Sequence, residues 1–260
     1  KQSHFGPEIA APMLCIGWAS LSMCLLANAH VGLNQPNFTV RLHKDSPDEF
    51  LDRITEVIDQ GNGMPQILND AVIIPGLQRL GIGLDKARDY IPVGCDEISV
   101  DGMWGRCNGG YLNFPKILES MINHGRCSLT DNRTGLTRVG FERFDTFENF
   151  KRIYIEQIKE GTRMLVTESN VTDVVHERLL PLPSVSVVVA GCLDKGLDVT
   201  QGGAQLNFTG PVGVGSASTG DALMAIKKMV YDDSKIELAK FAEILKRNYE
   251  GEEFIRQFIR

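Results

Sequence analysis

Apolar residues recur along this chain at two periods, and the change from one to the other marks its elements. Phe50, Ile54, Val57 and Ile58 recur at helical spacing, which is one face of a helix. Ser46-Pro47-Asp48-Glu49 precedes them as a capping box with proline at the first helical position, and Gly61 and Gly63 close the segment. The stretch FPKILESMIN, 114–123, places Phe114, Ile117, Leu118, Met121 and Ile122 on one face and stops at Gly125. A long helix is expected from about Thr146 to Glu168. DALMAIKKMV predicts another, capped by Thr219 or Asp221. A second capping box, Ser234-Lys235-Ile236-Glu237, opens a helix holding Ile236, Leu238, Phe241, Ile244 and Leu245.

Strands are expected at FTVRLH and at SVSVVVAG, the latter a β-branched run suited to burial on both faces. Residues 126–146 are polar and punctuated by glycine, so they read as an exposed excursion. The run APMLCIGWASLSMCLLANA, 11–29, is interrupted by Pro12, Gly17, Ser20, Ser22 and Asn28. That favours a buried core element over a membrane span, and no basic leader precedes it. Helices alternating with short apolar strands define an α/β class, expected here as one domain over residues 1–260.

Composition narrows the function more by exclusion. The 260 residues carry a net charge of −6 with no basic stripe, which excludes a nucleic-acid partner. Six cysteines show neither a CxxC pair nor zinc spacing, and their density is too low for a disulfide framework. A reducing cytoplasm is therefore the expected location, with no metal site. Gly215 to Gly220 has the spacing of a phosphate loop, but Asp221-Ala222 replaces Lys-Ser/Thr and would repel phosphate. No GxSxG elbow exists, and His124 and His176 stand alone.

The stretch VGCDEISVDGMWGRC, 93–107, is different. Cys95 follows Gly94 and precedes Asp96-Glu97, with Asp89 and Asp101 nearby in sequence. Carboxylates raise a thiol pKa and disfavour the thiolate, so an ionic nucleophile is not indicated. In an extended segment Cys95 and Glu97 share a side. A neutral thiol beside a carboxylate suits hydrogen-atom transfer coupled to proton transfer. A small buried hydrophobe is the other reading of an isolated cysteine, and it applies to Cys15, Cys24, Cys107, Cys127 and Cys192.

Gly94-Cys95-Asp96-Glu97 resembles the active-site loop of the glycyl radical enzymes, the group of pyruvate formate-lyase and the diol dehydratases. Other segments extend the resemblance in the same order: LNQPNFTVRLH, GNGMPQILND, YLNFPKILESMINHG, GCLDKGLDVTQGGAQLNFTGPVGVG, DALMAIKKMVYDD and NYEGEEFIRQFI. It implies part of a ten-stranded α/β barrel of the pyruvate formate-lyase type. It further implies Cys95 as the thiyl-bearing residue and Glu97 as general base, with Tyr111 near the substrate; Trp104 and Arg106, beside glycines that let the backbone come close, read either as pocket lining or as plain loop anchors. Asp96 stands where pyruvate formate-lyase has a second cysteine, and WGRCNGGY lacks the aspartate of glycerol-type enzymes. GGYLNFPKILE is more similar to hydroxyproline dehydratase.

The expected activity is therefore a lyase, a dehydratase of a small hydroxylated metabolite in an anaerobic cytoplasm. A formate acetyltransferase, a radical decarboxylase and a non-catalytic fragment are the alternatives. The family's radical resides on a glycine in a C-terminal Arg-Val-x-Gly loop, installed by a radical S-adenosylmethionine activase. Arg260 precedes any such loop, so the chain is expected to be an internal fragment of an enzyme that is a homodimer at full length.

Overall fold

A computed structural model of the chain describes residues 39–61, 65–93, 97–105 and 109–259. The apolar run 11–29, Gly63, Cys95, Arg106 and Cys107 lie outside the described residues. The rest divides into two compact units, one within residues 39–105 and 179–210 and the other within 109–178 and 211–259.

In the first unit β1 (Thr39–Leu42) pairs in parallel with β2 (Gln66–Asn69), Val40 opposite Ile67, and the helix Asp48–Asp59 makes the crossover. Phe50, Ile54 and Val57 are buried on that helix, as their spacing requires. Its expected capping box does not form. Pro47 occupies the N-cap position, and Ser46 Oγ instead accepts from the His43 N–H at 3.0 Å. Proline at the cap moves the boundary one residue on and leaves the serine to close the preceding turn.

Asn69 ends β2 and caps the helix Asp70–Arg79, its Oδ1 accepting from Ala71 N at 2.9 Å. The short helix Leu84–Arg88 leads into a hairpin of β3 (Tyr90–Val93) and β4 (Glu97–Val100). Leu68, Leu77, Ile82, Ala87, Tyr90 and Val100 form the core of this unit.

The run SVSVVVAG is not a strand. Pro183–Ser186 is a helical turn, and Val187 and Val188 are exposed. Proline at the first helical position and the Asp198 carboxylate outweigh the β-branched composition. That carboxylate accepts from Leu182 N (3.0 Å), Ser186 Oγ (2.8 Å), Thr200 N (2.9 Å) and Thr200 Oγ1 (2.8 Å). Burial raises its pKa, but these four donors outweigh burial and hold it at about 2. Glycine is required at 203, where a Cβ would lie 2.3 Å from the Leu197 carbonyl oxygen.

The second unit is helical, with β5 (Tyr111–Asn113) parallel to β6 (Val212–Val214) at one edge. Asn113 caps the helix Phe114–Ile122, its Oδ1 accepting from Lys116 N at 2.9 Å. The long helix runs Phe147–Leu179, eleven residues past the expected end at Glu168. Phe144, Phe147, Phe150 and Tyr231 form an aromatic group with ring centroids 5.2–6.4 Å apart. Met121, Phe150, Ile153 and Ile244 are fully enclosed beside them. Most of 126–146 is exposed, though Val139 and Phe144 are buried and anchor it.

Two helix starts differ from expectation. Gly215, in the left-handed region, caps Ser216–Ile226, so Thr219 and Asp221 fall inside the helix. The last-named capping box fails too, because the helix Leu238–Lys246 begins after Glu237, which makes no side-chain cap bond. Ile236 and Phe241 flank that start, both buried in one cluster, as in a hydrophobic staple.

The α/β class stands, but the ten-stranded barrel does not. Among the described residues six strands of three or four residues form three separate pairs. A barrel closes only when each strand is hydrogen-bonded on both sides. Each strand here has one neighbour.

Candidate active site

Val93 pairs with Glu97 as the last rung of the β3–β4 ladder. Cross-strand partners share a face and successive residues alternate. Tyr90, Val100 and Ile98 therefore turn to the hydrophobic core, and Glu97 takes the opposite face with Val93, Ile91 and Ser99. Glu97 is partly buried there.

The other end of the hairpin is gripped by a charged cluster. Arg41 on β1 donates to Asp70 through Nε (2.9 Å) and Nη2 (3.0 Å), a bidentate pair with both side chains about 95% enclosed. Arg41 Nη1 donates to the Tyr90 carbonyl at 3.2 Å, and its guanidinium lies 3.8 Å from the centre of the Tyr90 ring. The Tyr90 hydroxyl donates to Asp70 Oδ1 at 2.6 Å. Burial, then that bond to Asp70, push the tyrosine pKa well above the usual phenol range, so its proton stays on. In the sequence Asp70 follows Asn69 after Gly-Met-Pro-Gln, a setting that suits a carboxylate bonded to the backbone of a turn. Arg41 left one signal, a charge within the apolar strand segment TVRL.

Of the residues singled out in the sequence, Glu97 and Trp104 lie in the hairpin unit and Tyr111 in the helical one. Trp104 Nε1 donates to the Phe208 carbonyl at 2.7 Å, and the two rings meet edge-on at 5.4 Å. Tyr111 stands on β5 and is 62% exposed. Cys95 and Arg106 are outside the described residues.

Cys127 in the helical unit has a thiol with a depressed pKa. Lys116 Nζ donates to its sulfur at 2.9 Å and, with donors at Thr130 and Leu129, lowers the pKa to about 6. A cleft of about 290 Å³ in the same unit is walled by Leu118, Ile122, Ala225 and Phe241, with Glu119 and Lys246 also lining it. Among the described residues no group of His, Cys, Asp or Glu could hold a metal, and no helix is long and apolar enough to cross a membrane.

A partly buried glutamate that opens a hairpin strand, two residues after a cysteine in the sequence, on a hairpin held by a buried charge cluster, is the arrangement to compare with known proteins. The family model described as "Pyruvate formate lyase-like" matches residues 20–260. The chain belongs to this pyruvate formate lyase-like, glycyl radical family.

The chain is 33% identical over 235 residues to (2S)-3-sulfopropanediol dehydratase of Klebsiella oxytoca, covering 90% of this chain and 28% of that protein. A glycerol-bound B12-independent glycerol dehydratase from Clostridium butyricum superposes with a TM-score of 0.71 and 35% identity, over 92% of this chain and 30% of that one. Hydroxyproline dehydratase from Clostridioides difficile gives a TM-score of 0.72 and 29% identity, over 92% and 30% of the two chains. The chain thus spans under a third of the length of these relatives. Their identities do not single out hydroxyproline dehydratase, as the GGYLNFPKILE segment had suggested.

Proposed function

We propose that this chain is the cysteine-bearing part of a glycyl radical dehydratase that removes water from a small hydroxylated metabolite. The observation that carries the reading is the alignment around Cys95-Asp96-Glu97. Cys95 stands two residues before Glu97 in the sequence of a chain that aligns over nine-tenths of its length with dehydratases of this family. A second cysteine, as needed for acetyl transfer, is absent at Asp96.

The stored glycyl radical, installed by a radical S-adenosylmethionine activase, supplies the one-electron oxidising equivalent. Cys95, as a thiyl, takes a hydrogen atom from a carbon bearing a hydroxyl and becomes a thiol. Glu97 takes the proton of that hydroxyl. The resulting ketyl-type radical breaks its β carbon–oxygen bond, and hydroxide leaves as water with the proton that Glu97 took, which returns Glu97 to its carboxylate. The product radical then takes the hydrogen atom back from Cys95. The fold supplies position and exclusion of water for these steps. Tyr111, Trp104 and Arg106 are proposed to face the substrate, and the whole enzyme is proposed to be a cytoplasmic homodimer.

The test uses the whole enzyme, activated anaerobically and assayed with glycerol, trans-4-hydroxyproline, sulfopropanediol and related hydroxylated compounds. Water elimination from at least one is expected. Cys95→Ser should lose turnover by about a thousandfold or more while its glycyl radical remains visible by electron spin resonance. Glu97→Gln should lose about a hundredfold or more, the scale of a general base. Retained turnover in Cys95→Ser overturns the reading.

A further inference from the structure

We infer that Arg41, Asp70 and Tyr90 are positioning residues for the β3–β4 hairpin, setting the register of β3 against β4 and hence the neighbours among which Glu97 is held. The inference rests on the function proposed above for Cys95 and Glu97.

The need for such a device is visible in the strands. A slip of one residue in a two-stranded ladder would turn one strand's side chains to the wrong face, because the side-chain period is two. Alternating hydrophobicity normally prevents this. In β4, Glu-Ile-Ser-Val alternates and sets Glu97 opposite the core, but in β3 Tyr-Ile-Pro-Val is apolar at every position and gives no alternation to read. The position of β3 along β4 is therefore fixed from elsewhere.

Tyr90, the first residue of β3, is held at three points: its carbonyl by Arg41 Nη1, its ring by the guanidinium, its hydroxyl by Asp70. Arg41 comes from β1, and Asp70 directly follows β2. The parallel sheet thereby grips the antiparallel hairpin at one residue. The pairing Tyr90–Val100 through Val93–Glu97 carries that fixed point to the end of the ladder. A buried ion pair is a weak source of stability compared with apolar residues of the same volume. Its directional bonds fix an orientation, which apolar packing does less sharply.

The test again uses the whole enzyme, with Tyr90→Phe, Asp70→Asn and the paired replacement Arg41→Met with Asp70→Leu. Amide hydrogen exchange is read over residues 90–100, beside kcat, KM and the urea unfolding midpoint. Asp70→Asn and Tyr90→Phe should speed hairpin exchange about tenfold or more. They should lower kcat about ten- to hundredfold, with KM within about threefold. The double variant should regain the parent midpoint while kcat stays low.

A network that serves stability alone would return turnover together with the midpoint, and that result overturns the proposal. So does hairpin exchange at the parent rate in Asp70→Asn. Cys95→Ser should show parent exchange. If it retains turnover, the proposed function falls, and the exchange of Asp70→Asn still decides whether the grip exists.

Discussion

The hairpin unit and the helical unit enclose their centres with opposite materials. Beside the first core lie an arginine, an aspartate and a tyrosine whose polar atoms all find partners within 3.2 Å. The second is enclosed by Phe150, Ile153, Met121, Ile244 and a ring group that needs no charge. Apolar burial stabilises without specifying orientation finely. The charged cluster offers little net stability, yet leaves few alternative geometries. The hairpin that carries the candidate chemistry has the directional support, and the long helix has the non-directional one.

Breaking each centre separates the two modes. Asp70→Ala leaves the Arg41 guanidinium enclosed without its carboxylate and should destabilise the hairpin unit by about 3–5 kcal/mol, read by urea unfolding with local hydrogen exchange. Replacing Arg41 and Asp70 together by Met and Leu should recover most of that loss. Phe150→Ala should cost the helical unit about 3–4 kcal/mol through lost burial and the remaining cavity. No second substitution rescues it by pairing, and Phe150→Leu should recover much of it. A Phe150 variant rescued like Asp70 would erase the contrast.

Smaller effects sharpen it. Asp198→Ala removes four accepted hydrogen bonds near a helical turn and should cost about 1–2 kcal/mol at neutral pH. Its depressed pKa sets the sign. The contribution is fully present above the ordinary aspartate value and is lost as pH falls through about 2. The melting-temperature gap between parent and variant should therefore close between about pH 4 and pH 2.

In the helical unit, Cys127 should be alkylated by iodoacetamide with a half-maximal rate near pH 6. Lys116→Met should move that midpoint toward the ordinary thiol value with little change in stability. A midpoint unchanged in that variant would show that Lys116 does not hold the thiolate.

Helices were the most legible elements, because an amphipathic face depends on local spacing alone. Phe50, Ile54 and Val57 on one helix and Ile117, Leu118, Met121 and Ile122 on another are buried as their periods required. Helix starts were less legible. Two capping-box patterns, at Ser46 and Ser234, do not cap, since Pro47 and the packing of Ile236 against its cluster moved each boundary. The β-branched run after Pro183 became a turn because donors distant in sequence converge on Asp198.

By itself the sequence determined the α/β class, the helical faces and the cysteine–carboxylate spacing that pointed to the family. Each is a property of residues near one another along the chain. Tertiary structure alone decided that the described strands stay in open pairs, that Asp70 serves a buried ion pair, and that Arg41 reaches across 49 positions to hold Tyr90. Those outcomes depend on which strands lie side by side and which polar groups lose their water. Neither is written in local periodicity, because the hydrogen bond that replaces a lost water can come from any part of the chain.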